Sequence, residues 1–162
     1  MPRADWWRGR RGEWYVVVQV TFFVLVPFGP RTWPGGPLVS FPYPGAWSVA
    51  GVALLVTGLV LAIAGGAWLG KNLTALPRPI DEGTLVEGGP FRLVRHPIYS
   101  GGGLMALGWG VWVRGPLTIL YAILLLVFLD IKSRREERWL SAKFPGYGAY
   151  QQRVRKLIPF VY

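Results

Sequence analysis

Residues Ala46 to Gly70 run for 25 positions without one charged side chain, and no other feature limits so strongly what this chain can fold into. About 20 residues of helix cross the hydrocarbon core of a bilayer, so this stretch reads as a membrane span. Three more apolar stretches accompany it: Trp14 to Pro30, Ile98 to Val113 and Gly115 to Ile131, of 17, 16 and 17 residues. The shortest must borrow residues from its flanks. The pattern predicts an all-α integral membrane protein with about four transmembrane helices, spans near 14–30, 46–70, 98–113 and 115–131, within one membrane domain over 1–162. Arg8, Arg10 and Arg11 before the first stretch look like the start of a signal peptide, but no small-x-small cleavage site follows Pro30, so that stretch is expected to stay as a span.

Composition agrees. At 52% hydrophobic residues and mean hydropathy +0.34, the chain carries more apolar surface than a soluble core of 162 residues can hide. It has no Cys, which excludes disulfides, iron–sulfur clusters, thiolate zinc sites and Cys nucleophiles. No metal site is expected. The net charge of +10 would suggest nucleic acid in a soluble protein. Here the basic residues border apolar runs, so the membrane surface is the expected partner and nucleic acid is not.

Sixteen of the 18 Lys and Arg residues fall before the first stretch, between the second and third, or after the fourth; only Arg31 and Arg114 fall elsewhere. That asymmetry predicts a multi-pass protein of the cell membrane with both termini cytosolic. All eight acidic residues lie on or near the same side. The opposite side offers Trp33, Phe41, Tyr43 and Trp47 among prolines, a pattern suited to an aromatic belt at the headgroups.

Only Arg114-Gly115-Pro116 separates the third stretch from the fourth, which predicts a tight antiparallel hairpin. Gly101, Gly102, Gly103, Gly108 and Gly110 would allow close approach of a neighbouring backbone or a ligand. From Leu117 to Phe144 there is no Gly or Pro, so one helix is expected to continue out of the bilayer into a cytosolic tail, 132–162. The hairpin then brings Arg92, Arg95, His96 and Tyr99 close to Arg134-Arg135-Glu136-Glu137. His96, the one histidine, stands at the start of a helix whose first residue is Pro97. Free amides and the positive end of that helix suit an anion, with Arg92 or Arg95 assisting. The same residues are also consistent with a helix end anchored among headgroups. Glu136 or Glu137 would bind a ribose diol or an ammonium group, or form part of a solvated helix face. The turn Phe144 to Tyr150 reads as a lid over this site or as an interfacial anchor.

Together, Gly83-Thr84-Leu85-Val86, Gly89-Pro90-Phe91, Arg95-His96-Pro97-Ile98-Tyr99-Ser100-Gly101, Arg135-Glu136-Glu137, Phe144 to Tyr150 and Ile158-Pro159 resemble the isoprenylcysteine carboxyl methyltransferase family. Phosphatidylethanolamine N-methyltransferases are related to it. The resemblance covers about residues 71–162 and implies a methyltransferase that uses S-adenosylmethionine, releases S-adenosylhomocysteine and modifies a lipophilic small molecule or lipid. Carried over by position, it implies that Thr84, Leu85, Val86, Phe91, Arg95, His96, Pro97, Ile98, Tyr99 and Glu136 bind the cofactor. For the reaction itself it points to His96, Lys132 and Glu137: Lys132 near the acceptor, and His96 or Glu137 as a base if the acceptor carries a proton. Eukaryotic members have arginine where this chain has Lys132, which keeps the charge but loses the fork that grips a carboxylate. They also tend to have His at the position of Gly83 and Tyr at that of Phe91. These departures suggest a prokaryotic relative with a different acceptor. Two other classes compete: a non-enzymatic membrane accessory or transport protein, and a membrane reductase using NADPH. No ionisable residue lies at the centre of a span, which counts against a transporter.

Overall fold

Three helices of this protein begin on proline. Proline has no amide to lose at the first helical position, and its φ already suits the helix. The computed structural model describes residues 12–35 and 42–162; Arg3, Asp5, Arg8, Arg10, Arg11 and Phe41 lie outside them. The helices are α1 (Glu13–Phe28), α2 (Pro44–Leu69), α3 (Pro97–Trp112), α4 (Pro116–Lys143) and α5 (Tyr147–Arg153). Short 3₁₀ turns occupy Gly70–Asn72 and Gly89–Arg92. Among the described residues the only β-type pairing is one parallel bridge, between Val94 and Arg155. The all-α expectation is met, and each expected span falls on a helix whose ends agree to within a few residues, save that α4 runs on to Lys143. Two segments, Pro44–Asn72 and Pro116–Lys143, are long and apolar enough to cross a membrane.

α2 and α3 pack backbone to backbone. Gly51, Gly58 and Gly65 are the buried residues of α2, seven apart and so on one face. A Cβ added at Gly58 would lie 2.6 Å from the Gly101 carbonyl oxygen, and one at Gly108 would lie 2.7 Å from that of Gly51. Both distances are below what real Cβ atoms tolerate, so only glycine fits at the crossing. The other glycines of α3 serve different neighbours: Gly103 and Gly110 face Leu126 and Ile119 of α4, while Gly102 meets open space. On the far side, α1 packs on α4 through Val26, Phe22 and Phe128 around buried Ala122, Leu125 and Leu129. The turn between α3 and α4 is as short as expected, with Arg114 at φ 52°. Trp33, Tyr43 and Trp47 are exposed, as a belt of aromatics requires.

A larger residue at the α2–α3 crossing must force the helices apart. Gly58→Val is expected to destabilise the protein by about 1–3 kcal/mol, the usual cost of overpacking. Gly66→Ala, on the same helix but facing open space, is expected to be neutral or stabilising by up to about 1 kcal/mol. Thermal unfolding of both variants in detergent checks the pair.

Candidate functional site

The backbone just before α3 cannot satisfy itself. The Val94 amide is met locally by Pro90 O, but Arg95 and His96 lie outside any helix and their amides need outside partners. The chain's last segment supplies them: Arg95 N–H donates to Arg155 O at 2.8 Å and His96 N–H to Lys156 O at 3.1 Å. Ser100 Oγ then donates to Leu157 O at 2.7 Å. This edge fixes where the side chains of Arg95, His96 and Tyr99 emerge.

Arg95 points at α4. Its Nε donates to Glu137 Oε1 at 2.7 Å, and its Nη1 donates to Gln151 O at 3.2 Å and to Val154 O. Glu137 also accepts from His96 Nε2 and from Gln151 Nε2, each at 3.2 Å. Since an ionised carboxylate only accepts, His96 carries its proton on Nε2. Glu137 lies beyond the apolar part of α4. Burial works to raise its carboxyl, but hydrogen bonds from His96 and Arg95, and their electrostatic pull, outweigh that and hold it at about 2. Both oxygens of Glu137, one of the two candidate bases, are engaged by donors of the protein itself. Arg95 likewise spends its Nε and Nη1 donors inside the protein. His96 occupies the N-cap of α3 without a side-chain capping bond, because its ring is turned to Glu137.

Next to this network lies a cavity of about 450 Å³, within the range of about 300–1,000 Å³ usual for ligand sites. Thr84, Leu85, Val86, Phe91, Arg95, His96, Pro97, Ile98, Tyr99, Lys132 and Glu136 all line it. The cofactor-binding residues implied by the resemblance thus come to one place with Lys132; Glu137 stands behind the wall, and Arg92 lines a different pocket, with Glu87 and Arg153. Tyr99 stacks on His96 with ring centroids 5.3 Å apart, and its hydroxyl donates to Glu136 Oε2 at 2.7 Å. The segment carrying Thr84 is held from both sides: Thr84 N–H donates to Asn72 Oδ1 at 3.1 Å, and Lys143 Nζ bonds Asp81 O at 2.9 Å.

The sequence reading missed three contributors. Gln19 of α1 lines the cavity and accepts from Lys132 Nζ at 2.5 Å, while Ala75 O accepts from the same ammonium at 3.0 Å. A lone glutamine within an apolar run is costly in a membrane and was the available signal. Tyr147 and Tyr150 of α5 are buried in the wall beside Phe91, and Tyr150 donates its hydroxyl to Phe91 O at 2.6 Å. The tail is thus built into the site, neither a loose lid nor an interfacial anchor. The Tyr147 hydroxyl is buried with no hydrogen-bond partner in the protein. The Glu136 carboxylate and the aromatic walls of the cavity suit a polar cofactor carrying hydroxyl and amino groups.

The sequence model of the phospholipid methyltransferase family matches residues 47–146. The chain belongs to this family. It is 29% identical to the cobalt-zinc-cadmium resistance protein CzcN of Cupriavidus metallidurans, over 94% of this chain and 64% of that protein. It is 30% identical to a probable protein-S-isoprenylcysteine O-methyltransferase of Oryza sativa subsp. indica, over 70% of this chain and 62% of the relative. Its fold superimposes on that of the eukaryotic intramembrane Ras methyltransferase ICMT, isoprenylcysteine carboxyl methyltransferase, with a TM-score of 0.66 and 25% identity, covering 99% of this chain and 55% of the other. The chain thus spans less than two thirds of the length of these relatives. Among the described residues, no three His, Cys, Asp or Glu side chains come together to hold a metal ion.

Removing the Glu137 charge leaves the buried Arg95 guanidinium without its opposite charge. Glu137→Gln is expected to cost about 3 kcal/mol at neutral pH, as for other broken buried pairs. Because the carboxyl is lowered on folding, its contribution is complete above the ordinary Glu range and is lost as pH falls from about 4.3 toward about 2. The gap between wild type and variant should close over that window in chemical unfolding.

Proposed function

We propose that this chain is an S-adenosylmethionine-dependent membrane methyltransferase acting on a lipophilic acceptor, with residues 71–162 as its cofactor-binding part. One observation carries the reading: the residues that match the methyltransferase motifs, though scattered from Thr84 to Glu136, line a single cavity. Family membership supports methyl transfer over a reductase or an accessory role.

In this reading α1 and α3 cross the bilayer with α2 and α4. At 16 residues each, they measure about 24 Å and need their flanks to complete the crossing. The basic residues then face the cytosol with both termini, and the cavity opens at that boundary. S-adenosylmethionine, when bound, supplies an activated methyl group for direct displacement by a nucleophile. The protein's task is to align the two partners. Thr84, Leu85, Val86 and Phe91 form one cofactor wall, and Pro97, Ile98 and Tyr99 another. Glu136 accepts hydrogen bonds from the cofactor's polar end, with its direction set by Tyr99. Arg95 and Glu137 act through His96 as positioning residues. Lys132, on the side where α1 arrives, faces the acceptor.

Titration calorimetry with S-adenosylhomocysteine tests this directly. Wild type should bind it, and Glu136→Ala should bind about 10–100-fold more weakly, corresponding to loss of hydrogen bonds to a charged acceptor. Labelled methyl groups should also enter a membrane lipid extract. Absence of binding at millimolar concentration, or stabilisation by NADPH instead, overturns the reading.

A further inference from the structure

Lys132 is 1% exposed, yet both oxygens that its ammonium bonds are neutral: Gln19 Oε1 and Ala75 O. The carboxylate that acts on it electrostatically is Glu136, one turn further along α4, which forms no hydrogen bond with it. An ammonium has three N–H donors, and these two bonds use two of them. The remaining donor belongs to a group on the cavity wall, with Nζ 5.1 Å from the centre of the Tyr99 ring. Of the other charged groups of the wall, Arg95 is paired with Glu137, and Glu136, which takes the Tyr99 hydroxyl on one oxygen, keeps the other for the cofactor. From α1 the only polar lining residue is Gln19.

We propose that Lys132, seated by Gln19, is the acceptor-recognition point of the cavity and takes a single anionic oxygen, so that the acceptor is a lipophilic phenol methylated at oxygen. This rests on the methyltransferase reading above. One free N–H matches one oxygen, whereas a carboxylate is best gripped by two parallel donors, as arginine provides. A cation within about 4–6 Å lowers the pKa of an acidic hydroxyl by about 1–3 units, which brings a phenol of ordinary pKa ≈ 10 toward neutrality. The phenol proton leaves to water at the cytosolic boundary. The phenolate oxygen then forms a bond to the methyl carbon while the carbon–sulfur bond of the sulfonium donor breaks, its electron pair returning to sulfur. The products are a methyl ether and a neutral thioether. Apolar lining residues such as Leu73 and Ile80 leave the acceptor's tail in a greasy environment.

The test uses a 4-nitrophenol bearing a long alkyl chain, whose absorbance reports its ionisation, added to the full protein in detergent with S-adenosylhomocysteine present. The probe's apparent pKa should fall by about 1 unit or more relative to protein-free micelles. The shift should vanish in Lys132→Met and shrink in Gln19→Leu. Lys132→Arg should retain the shift but let a fatty carboxylate of equal chain length displace the probe. S-adenosylhomocysteine binding, measured on the same samples, reports folding and the cofactor site separately. The proposal is overturned if wild type binds S-adenosylhomocysteine but leaves the probe's pKa unchanged, if Lys132→Met shifts it equally, or if wild type prefers the carboxylate. Failure of wild type to bind S-adenosylhomocysteine overturns the methyltransferase reading instead.

Discussion

The guanidinium of Arg95 ties together three parts of the chain that are far apart in sequence. It holds the Glu137 carboxylate on α4, the Gln151 carbonyl on α5 and the Val154 carbonyl just after it. Through Glu137 it orients His96, and through the Val94–Arg155 bridge beside it the terminal segment aligns the start of α3. A buried ion pair of this kind need not add net stability, since desolvation offsets much of its attraction. What it does supply is a single arrangement: once Arg95 is seated, the cavity walls from the 84–91 segment, α3, α4 and α5 have one way to come together.

The helical half of the fold obeys a simpler rule. Between lipid-facing helices there is no hydrophobic gain from association, so close backbone contact has to provide it. The glycines of α2 and α3 do so, and the hairpin into α4 then carries Lys132 and Glu136 to the level of His96. Charged residues collect at one end of α3 and α4, beside the cavity; in the proposed function that end is where a water-soluble cofactor and a membrane-dissolved acceptor share it.

Much of this was legible in the chain itself. Helices were visible as apolar runs, the hairpin as Arg114-Gly115-Pro116, and most of the cavity wall as short motifs around His96 and Glu136. Three things were not. Glu137 looked like its neighbour Glu136, and only the helix rotation of about 100° between them turns one into the cavity and the other against Arg95. Gln19 and Ala75 are separated from Lys132 by 113 and 57 positions, and no local pattern predicts such pairing. Burial of Tyr147 and Tyr150 depends on the turn at Phe144 folding α5 back onto Phe91, which propensity alone does not specify. Local periodicity reveals elements, whereas these contacts arise from how elements are rotated and returned.

Photo-crosslinking in lipid nanodiscs with an azidoadenosyl analogue of S-adenosylhomocysteine, followed by peptide mass spectrometry, tests the central claim most directly. The account predicts labels within the 84–99 and 136–150 segments that disappear when unlabelled S-adenosylhomocysteine is added. Labelling confined to the lipid-facing surfaces of α1 and α2, or labelling that competition does not reduce, would contradict it.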